Sequence, residues 1–454
     1  MSLRDKLARL GSAGPGSRPA PSAPAAPSVP AAPPPCDPDR VGRLRGLLSQ
    51  MIADEQRRLR DRAPRTPAVR APLPGEAVET PHGPLQRVAD YLEPAHHHGR
   101  VPIARALSVS PAVVAKLALD ESLEGVDPRR LLYVDTETTG LSGGAGTLPF
   151  LIGLAWFEDE SLRVEQLLLP APGREVPMLR RLAERVEAAS ALVSYNGKAF
   201  DWPLLRSRFV LNRVPVATPA AHLDLLHCAR RVYKRRLGHV RLVDLEEQVL
   251  GMRRERDVDG AEIPALFWEL VRGGDGSVIA PVVEHNANDL VALAAILVRL
   301  VELYEGRRAE DEPADRLGVA HVAARAADVE RSRAHAEAAA TGGGPADVTA
   351  DALWLAAELA RKRGDVAERR ALLHRGLEAA ARDEPRAARF HLALAKLYEH
   401  RLRDYERALL HARAADLVEG TARRDHRLAR ILARLERARR AGASIVMLSS
   451  ERDG

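Results

Sequence analysis

The sequence predicts an α/β chain: a mixed β-sheet flanked by helices, followed by an all-helical region built from repeats. Three observations carry this expectation. RLLYVDTE, LPFLIGLAWFED and LRVEQLLLP, between residues 130 and 170, are apolar runs separated by a Gly-rich turn and a short polar turn, the pattern of three β-strands. Helical spacing then alternates with short strands up to residue 306, which places helices over a sheet. From about residue 350 the pattern is helical only, and it repeats.

Taken in order, residues 1–40 form an N-terminal segment rich in Pro, Ala and Ser, with no hydrophobic pattern from residue 11 onward. Such a composition predicts a disordered, extended chain. Residues 41–130 form an extension of helix and strand packed on the core. VGRLRGLLSQMIADEQRRLRDR, 41–62, reads as a charged amphipathic helix. Residues 75–120 read as short strands and loops that turn at Gly83 and Gly99. His96, His97 and His98 sit in one of these loops, where neighbours point in alternate directions and rarely chelate one ion together. A solvated loop is expected there.

The core spans 131–306. After the three strands, VPMLRRLAERVEAAS is an amphipathic helix and ALVSYNG a fourth strand. AFDWPLLRSRFVLNR is a helix opening at an acid. HLDLLHCARRVY starts as a strand and continues as a basic helix. VRLVDLEEQVLG and IPALFWELVRGG are helical. APVVEHNANDLVALAAILVRLVELYEG is a long helix with an acid near its start. Residues 307–345 are a linker or helical connector. Residues 346–445 repeat with a period near 38. Leu359 corresponds to Leu397, and KRGD to HRLRD with one residue inserted. This resembles tetratricopeptide repeats, which bind partners and do not catalyse.

Composition excludes several classes. The 454 residues exceed one compact core. Cys36 and Cys228 are too few and too far apart for a disulfide framework or a cysteine zinc site. The longest apolar run, LPFLIGLAWF, is too short to span a bilayer. The first residues lack the apolar block of a signal peptide, so a cytoplasmic protein is expected. The net charge of +6 and pI near 9.5 suit an anionic partner such as nucleic acid. Only six of the 68 basic residues are Lys, however, so the charge can also reflect an Arg- and Ala-rich composition.

The chemistry rests on acids that open or close apolar segments. Asp135 and Glu137 end the first core strand, two apart and so on one face. Asp201 starts a helix after YNGKAF. Asp289 lies one turn beyond His285, just before an apolar run. Each alone has a plain structural reading: a solvated strand end, or a helix cap. Together, four acids at one sheet edge can bind two divalent cations, and oxygen ligands suit Mg²⁺ or Mn²⁺. Two such ions can activate water and stabilise the leaving oxygen of a phosphodiester.

VDTETTGL followed by a second strand, YNGKAFD, and HNANDL on a late helix resemble the three motifs of the DEDD 3′–5′ exonucleases, which have a ribonuclease-H-like fold. The finer resemblance is to the YprB-type branch, through HGRVPIARAL, HLDLLHCARR…LVDLEEQVLG and the helical repeat tail. It covers residues 75–306 and, less closely, the tail. It implies that Asp135, Glu137, Asp201 and Asp289 bind the two metals. It also implies that the backbone near Thr139 and Leu141, with Asn196, grips the 3′-terminal nucleotide. The family's general base is a histidine five residues before the last acid or a tyrosine four before. Here His285 stands four before Asp289, and Glu284 occupies the five-before position.

Further substrate contacts are expected from Lys198, between Asn196 and Asp201. The run ARRVYKRRLGHVR, with Arg230, Arg231, Lys234, Arg235, Arg236 and Arg241, could track a phosphate backbone or be a solvated helix face. Aromatics at 4% argue against an extended base-stacking groove. Trp202, next to Asp201, reads as core packing. The leading functional expectation is a metal-dependent 3′–5′ exonuclease acting on DNA in repair. RNA ends or a structure-specific endonucleolytic cut are alternatives, because sugar choice turns on a 2′-hydroxyl contact. A third reading is a non-catalytic scaffold that binds nucleic acid. In each, the repeats would recruit a protein partner such as a helicase.

Overall fold

The computed structural model describes residues 71–140, 146–255, 257–308 and 310–450, with side chains described to residue 440. The Pro/Ala-rich segment, the helix expected over 41–62 and the substrate-contact candidate Leu141 lie outside these residues.

Seven strands form one mixed sheet in the order β1-β2-β7-β6-β5-β8-β9. They are β1 (Glu76–Thr80), β2 (Gly83–Leu92), β5 (Leu131–Thr138), β6 (Pro149–Glu158), β7 (Ser161–Leu168), β8 (Ala191–Ser194) and β9 (His222–Asp224). β5 lies between β6, antiparallel, and β8, parallel. β3 (His97–His98) and β4 (Val101–Pro102) make a small separate hairpin. Every residue of β6 except its last is buried, because helices cover both faces of the sheet.

One face packs Tyr133 and Val193 against α4 (Leu225–Leu237) and the long α7 (Ala280–Glu305). From Leu290 to Tyr304 α7 is buried all round. A helix buried on every side forms the centre of a core, and this one starts at Ala280 with Pro281 in its first turn and is capped by Gly306, with φ 71°. The other face packs Leu132 and Val134 against α2 (Val176–Ala188), α3 (Asp201–Leu211) and α6 (Ile263–Val271). A short α5 (Leu242–Leu245) runs into a π-turn, Glu246–Leu250.

The 75–120 stretch holds one element that the sequence reading passed over. Pro111–Ala118 is a helix, α1, with Ser110 as its cap and Leu119 ending it at φ 56°. Ser followed by Pro is a helix-start signal, and it outweighs the short apolar runs around it.

From residue 313 the described chain is helical: α8 (Pro313–Arg325), α9 (Val329–Thr341), α10 (Ala346–Arg363), α11 (Val366–Ala379), α12 (Glu384–Leu397), α13 (Tyr405–Arg413), α14 (Asp416–Glu419) and α15 (Thr421–Ser450). The extra residue in HRLRD has a structural form. α10 ends at Gly364 with φ 78°, and Asp365 caps α11. α12 instead passes into a π-turn, Tyr398–Leu402, before Arg403 takes the same left-handed role at φ 55° and Asp404 caps α13. One inserted residue widens the last helical turn rather than lengthening the loop. Ion pairs from Arg235 to Asp347 and Asp351, and from Arg236 to Asp315, tie α4 to these helices. No described helix is long and apolar enough to cross a membrane.

Candidate active site at the end of β5

Asp135 and Glu137 project from β5 on the face that α7 covers. Asp135 lies opposite Gly153 of β6. A Cβ at Gly153 would collide with the Asn286 side chain, so glycine is what lets α7 come down onto the sheet here. Asn286 is wholly buried. Its Nδ2 donates to Asp135 Oδ2 at 2.7 Å, and its Oδ1 accepts from Gln166 Nε2 at 2.8 Å. Gln166 also donates to the Val283 carbonyl at 2.7 Å.

Asp201 is the first residue of α3, not its cap, and it accepts a hydrogen bond from Thr136. Gly197 sits beside it, and a Cβ there would strike Ser194 and lie 3.3 Å from Asp201 Oδ2. Asp289 reaches in from α7. The fold thus brings all four acids close enough to repel one another.

The proton affinities of Asp135 and Glu137 record that crowding, and those of Asp201 and Asp289 record burial. Burial, then Asp289, Glu137 and Asp201, push the Asp135 carboxyl well above its ordinary value. Burial, then Asp289 and Asp201, lift Glu137 to about 8. Burial lifts Asp201 to about 6, against the bond from Thr136. Burial also raises Asp289, although Arg254 and His285 pull the other way.

His285 faces this cluster. Its Nε2 lies 3.7 Å from both Glu137 Oε1 and Asp289 Oδ2. Its Nδ1 lies 2.6 Å from Asp257 Oδ1. Glu284, the five-before alternative, is exposed. Arg254 stands behind the cluster with its side chain 6% exposed. It pairs with Asp289, with Asp257 at 3.2 Å and with Glu246 at 2.7 Å. Glu246, from the π-turn, is bound in turn by His98 Nε2 at 2.8 Å. The expected solvated histidine loop is therefore corrected: His97 is exposed, but His98 is buried against Glu246. Alternation along a strand gives one histidine to solvent and the next to the interior.

Arg254, Asp257 and Glu246 were not found from the sequence. Arg254 and Asp257 sit in a charged stretch, GMRRERDVDG, with no periodicity to mark them, and Glu246 lies in the helical segment VRLVDLEEQVLG, where nothing local sets it apart from Glu247. Of the other expected contacts, Thr139 exchanges two bonds with Leu148, N to O and N to Oγ1, both 3.0 Å. Asn196, at φ 68°, gives its N–H to Asp224 Oδ1 at 2.9 Å, and Lys198 N–H reaches Asp224 Oδ2 at 3.2 Å. Lys198 Nζ lies 3.4 Å from Asp120. Trp202 is half-buried and packs on the core.

Among the described residues no group of three or more His, Cys, Asp or Glu side chains is already arrayed to hold a metal ion. The donor set nonetheless fits one. Four carboxylates with too little positive charge among them are hard oxygen donors in need of a cation. Asp135, Glu137, Asp201 and Asp289 would hold it, once Asp289 and Asp135 turn from Arg254 and Asn286.

The comparisons agree with this architecture. Residues 132–301 match the RNase_H_2 family model, described as RNase_H superfamily. The chain is 38% identical over 181 residues to YprB, an uncharacterized protein of Bacillus subtilis (strain 168). That similarity takes in 39% of this chain and 44% of the relative, so the chain spans less than half of the relative's length. Nucleases of this superfamily generally use divalent metal ions. Residues 132–301 thus have a ribonuclease H-like α/β fold, and a helix-rich region follows it.

Proposed function

We propose that the protein is a metal-dependent 3′–5′ exonuclease that acts on DNA in repair, with Asp135, Glu137, Asp201 and Asp289 as metal ligands and His285 as general base. The observation that carries this reading is the convergence of four mutually repelling carboxylates in front of one imidazole. Two bound Mg²⁺ or Mn²⁺ ions would neutralise those carboxylates and stabilise charge on the phosphate. Asp257 accepts the Nδ1–H of His285, which leaves the Nε2 lone pair facing the acids. That nitrogen takes the proton of an attacking water. The new bond joins the water oxygen to phosphorus, the bond to the 3′-oxygen breaks, and a 5′-mononucleotide leaves. Arg254 sets the positions of Asp257 and Asp289 together. The helices beyond residue 346 are read as tetratricopeptide-like repeats that recruit a protein partner such as a helicase.

The test uses 5′-end-labelled single-stranded DNA, duplex DNA and RNA with Mn²⁺. The expected result is a ladder shortening from the 3′ end of DNA. Asp135→Ala and Asp201→Ala should remove the metal's several kcal/mol of charge stabilisation, a loss of roughly 10³-fold or more, while thermal melting shows an intact fold. Near wild-type turnover of either variant in saturating Mn²⁺ would refute the site. A ladder on RNA alone, or internal cuts, would replace the substrate assignment.

A further inference from the structure

Six cations crowd the stretch from Arg230 to Arg241, and the fold divides them. Arg231 is bound to the carbonyls of Leu117 and Ala118, both at 3.1 Å. Arg235 pairs with Asp347 and Asp351, and Arg236 with Asp315. These three hold the protein together. Arg230 and Lys234 differ. They stand one turn apart on the exposed face of α4, and among the described residues neither has an acidic partner. Like charges at this spacing repel slightly, and both side chains are exposed and open to an anion from outside.

Both line a cleft of about 470 Å³, together with Asn196, His239 and Arg241. Arg241 is paired with Asp244 at 2.7 Å, but its side chain is 76% exposed and can swing. Tyr195 also lines the cleft, with its hydroxyl given to the Val240 carbonyl. The cleft reaches the candidate active site through one loop. Asp224 caps α4 by accepting from Leu226 N at 3.1 Å, and the same carboxylate holds the N–H groups of Asn196 and Lys198. Asn196 faces the cleft, while Gly197 abuts Asp201. One short segment is thus the wall of both.

We propose that this cleft binds the phosphate backbone of a single nucleic-acid strand and leads its end to the acids at β5. The proposal rests on the exonuclease reading for the direction of the strand, and its own content is the binding surface. Two rings, Tyr195 with its hydroxyl already given and His239, offer stacking but little base readout, so the contact is mainly electrostatic and independent of sequence.

The experiment measures binding of the full chain to a fluorescein-labelled single-stranded oligonucleotide by anisotropy, in EDTA so that no hydrolysis occurs. Arg230→Ala/Lys234→Ala is compared with wild type across a salt series. Binding should weaken about tenfold or more near 0.1 M salt, and the slope of log K against log salt should fall by roughly 1.4, about 0.7 for each lost contact. Unchanged affinity and slope would overturn the proposal. So would a wild-type protein that ignores the oligonucleotide but binds poly-glutamate through these two residues, which would make the patch a protein-docking surface. The two readings fail separately. Retained hydrolysis in Asp135→Ala sinks the active site and leaves the binding result standing, whereas an unaltered salt slope removes the cleft and leaves the site.

Discussion

Glu399 and Asp135 are carboxylates of the same chain that the fold treats in opposite ways. Glu399, in the π-turn after α12, has a fully buried side chain. Burial pushes its pKa up, but the Arg430 fork, at 2.7 and 3.0 Å, outweighs that, helped by His400 and Arg434, and the carboxyl ends below its ordinary value. Asp135 is also removed from water, but its neighbours are three more acids, and among the described residues its stabilising bond comes from Asn286 alone. The helical region matches buried acids with arginine. The sheet edge gathers acids and leaves them short of cations. An ion-pair lattice stabilises its own fold, whereas a cluster of like charges raises the free energy of the metal-free protein and is useful only when something else binds. The difference separates structural charge from candidate chemistry without reference to sequence motifs.

His285 is where that distinction can be pressed hardest. Unlike Arg430 and Arg434, which hold Glu399 at 2.7 and 3.1 Å, it stands 3.7 Å from its acids, and its nearer partner is Asp257. A structural imidazole there would be worth little to turnover. As general base, its loss should lower kcat by ~10² to 10⁴, with metal affinity, read by calorimetry, changing little. Glu284→Gln should be mild, since that side chain is exposed. Full turnover in His285→Ala would return His285 to the structural class.

The two regions should also respond to pH with opposite signs. Glu137 and Asp201 have folded pKa values raised to about 8 and about 6. Raised acids favour the protonated folded state, so their contribution is present below the unfolded values, near 4, and is lost as pH rises through 6 and 8. Glu399 is lowered, so its contribution is present above its unfolded value and is lost as pH falls. Hydrogen exchange of the metal-free protein should therefore show β5 and the start of α7 loosening from pH 5 to pH 9, and α12 and α15 loosening on acidification. Mn²⁺ should cancel the first effect alone. Glu399→Gln should cost about 1–3 kcal/mol, the penalty of leaving buried charged donors unsatisfied, and abolish the second. Parallel pH trends in the two regions would dissolve the contrast.

Much of this was legible in the sequence, for identifiable reasons. The strands at Leu131, Pro149 and Ser161 are long apolar runs with clear turns between them, and local pattern suffices for those. Asp135, Glu137, Asp201 and Asp289 stood out because an acid at the edge of an apolar run is anomalous. The helices beyond residue 346 showed through their apolar spacing and the paired turns KRGD and HRLRD, and even the inserted residue could be counted. What stayed hidden was long-range pairing. Nothing in LEEQVLG says that Glu246 meets His98, 148 positions away. Nor does RRERDVDG announce that Arg254 and Asp257 close on Asp289 and His285. Local pattern does not set these residues apart from their neighbours, and their meaning comes from the tertiary fold. The basic run misled in the same way, since its even spread of charge conceals which arginines already have partners.

That division of the basic run yields the smallest expected effect. Arg235 was grouped with Arg230 and Lys234 by sequence, but it is bound to Asp347 at 2.7 Å and to Asp351 at 2.8 Å. The groups are substantially exposed, between 22% and 46% for these side chains, so water and salt screen them. Asp351 also keeps Arg386 at 3.2 Å when Arg235 is gone. Arg235→Ala should therefore cost no more than ~1 kcal/mol of stability, measured by urea unfolding, and the cost should shrink at high salt. Its oligonucleotide affinity and salt slope should match wild type, because its charge is already engaged within the protein. A loss of affinity as large as that of Arg230→Ala/Lys234→Ala would mean that net charge, not the open cleft, governs binding. A stability loss of several kcal/mol would mean that the join between α4 and α10 belongs with the buried lattice around Glu399 rather than with ordinary surface pairs.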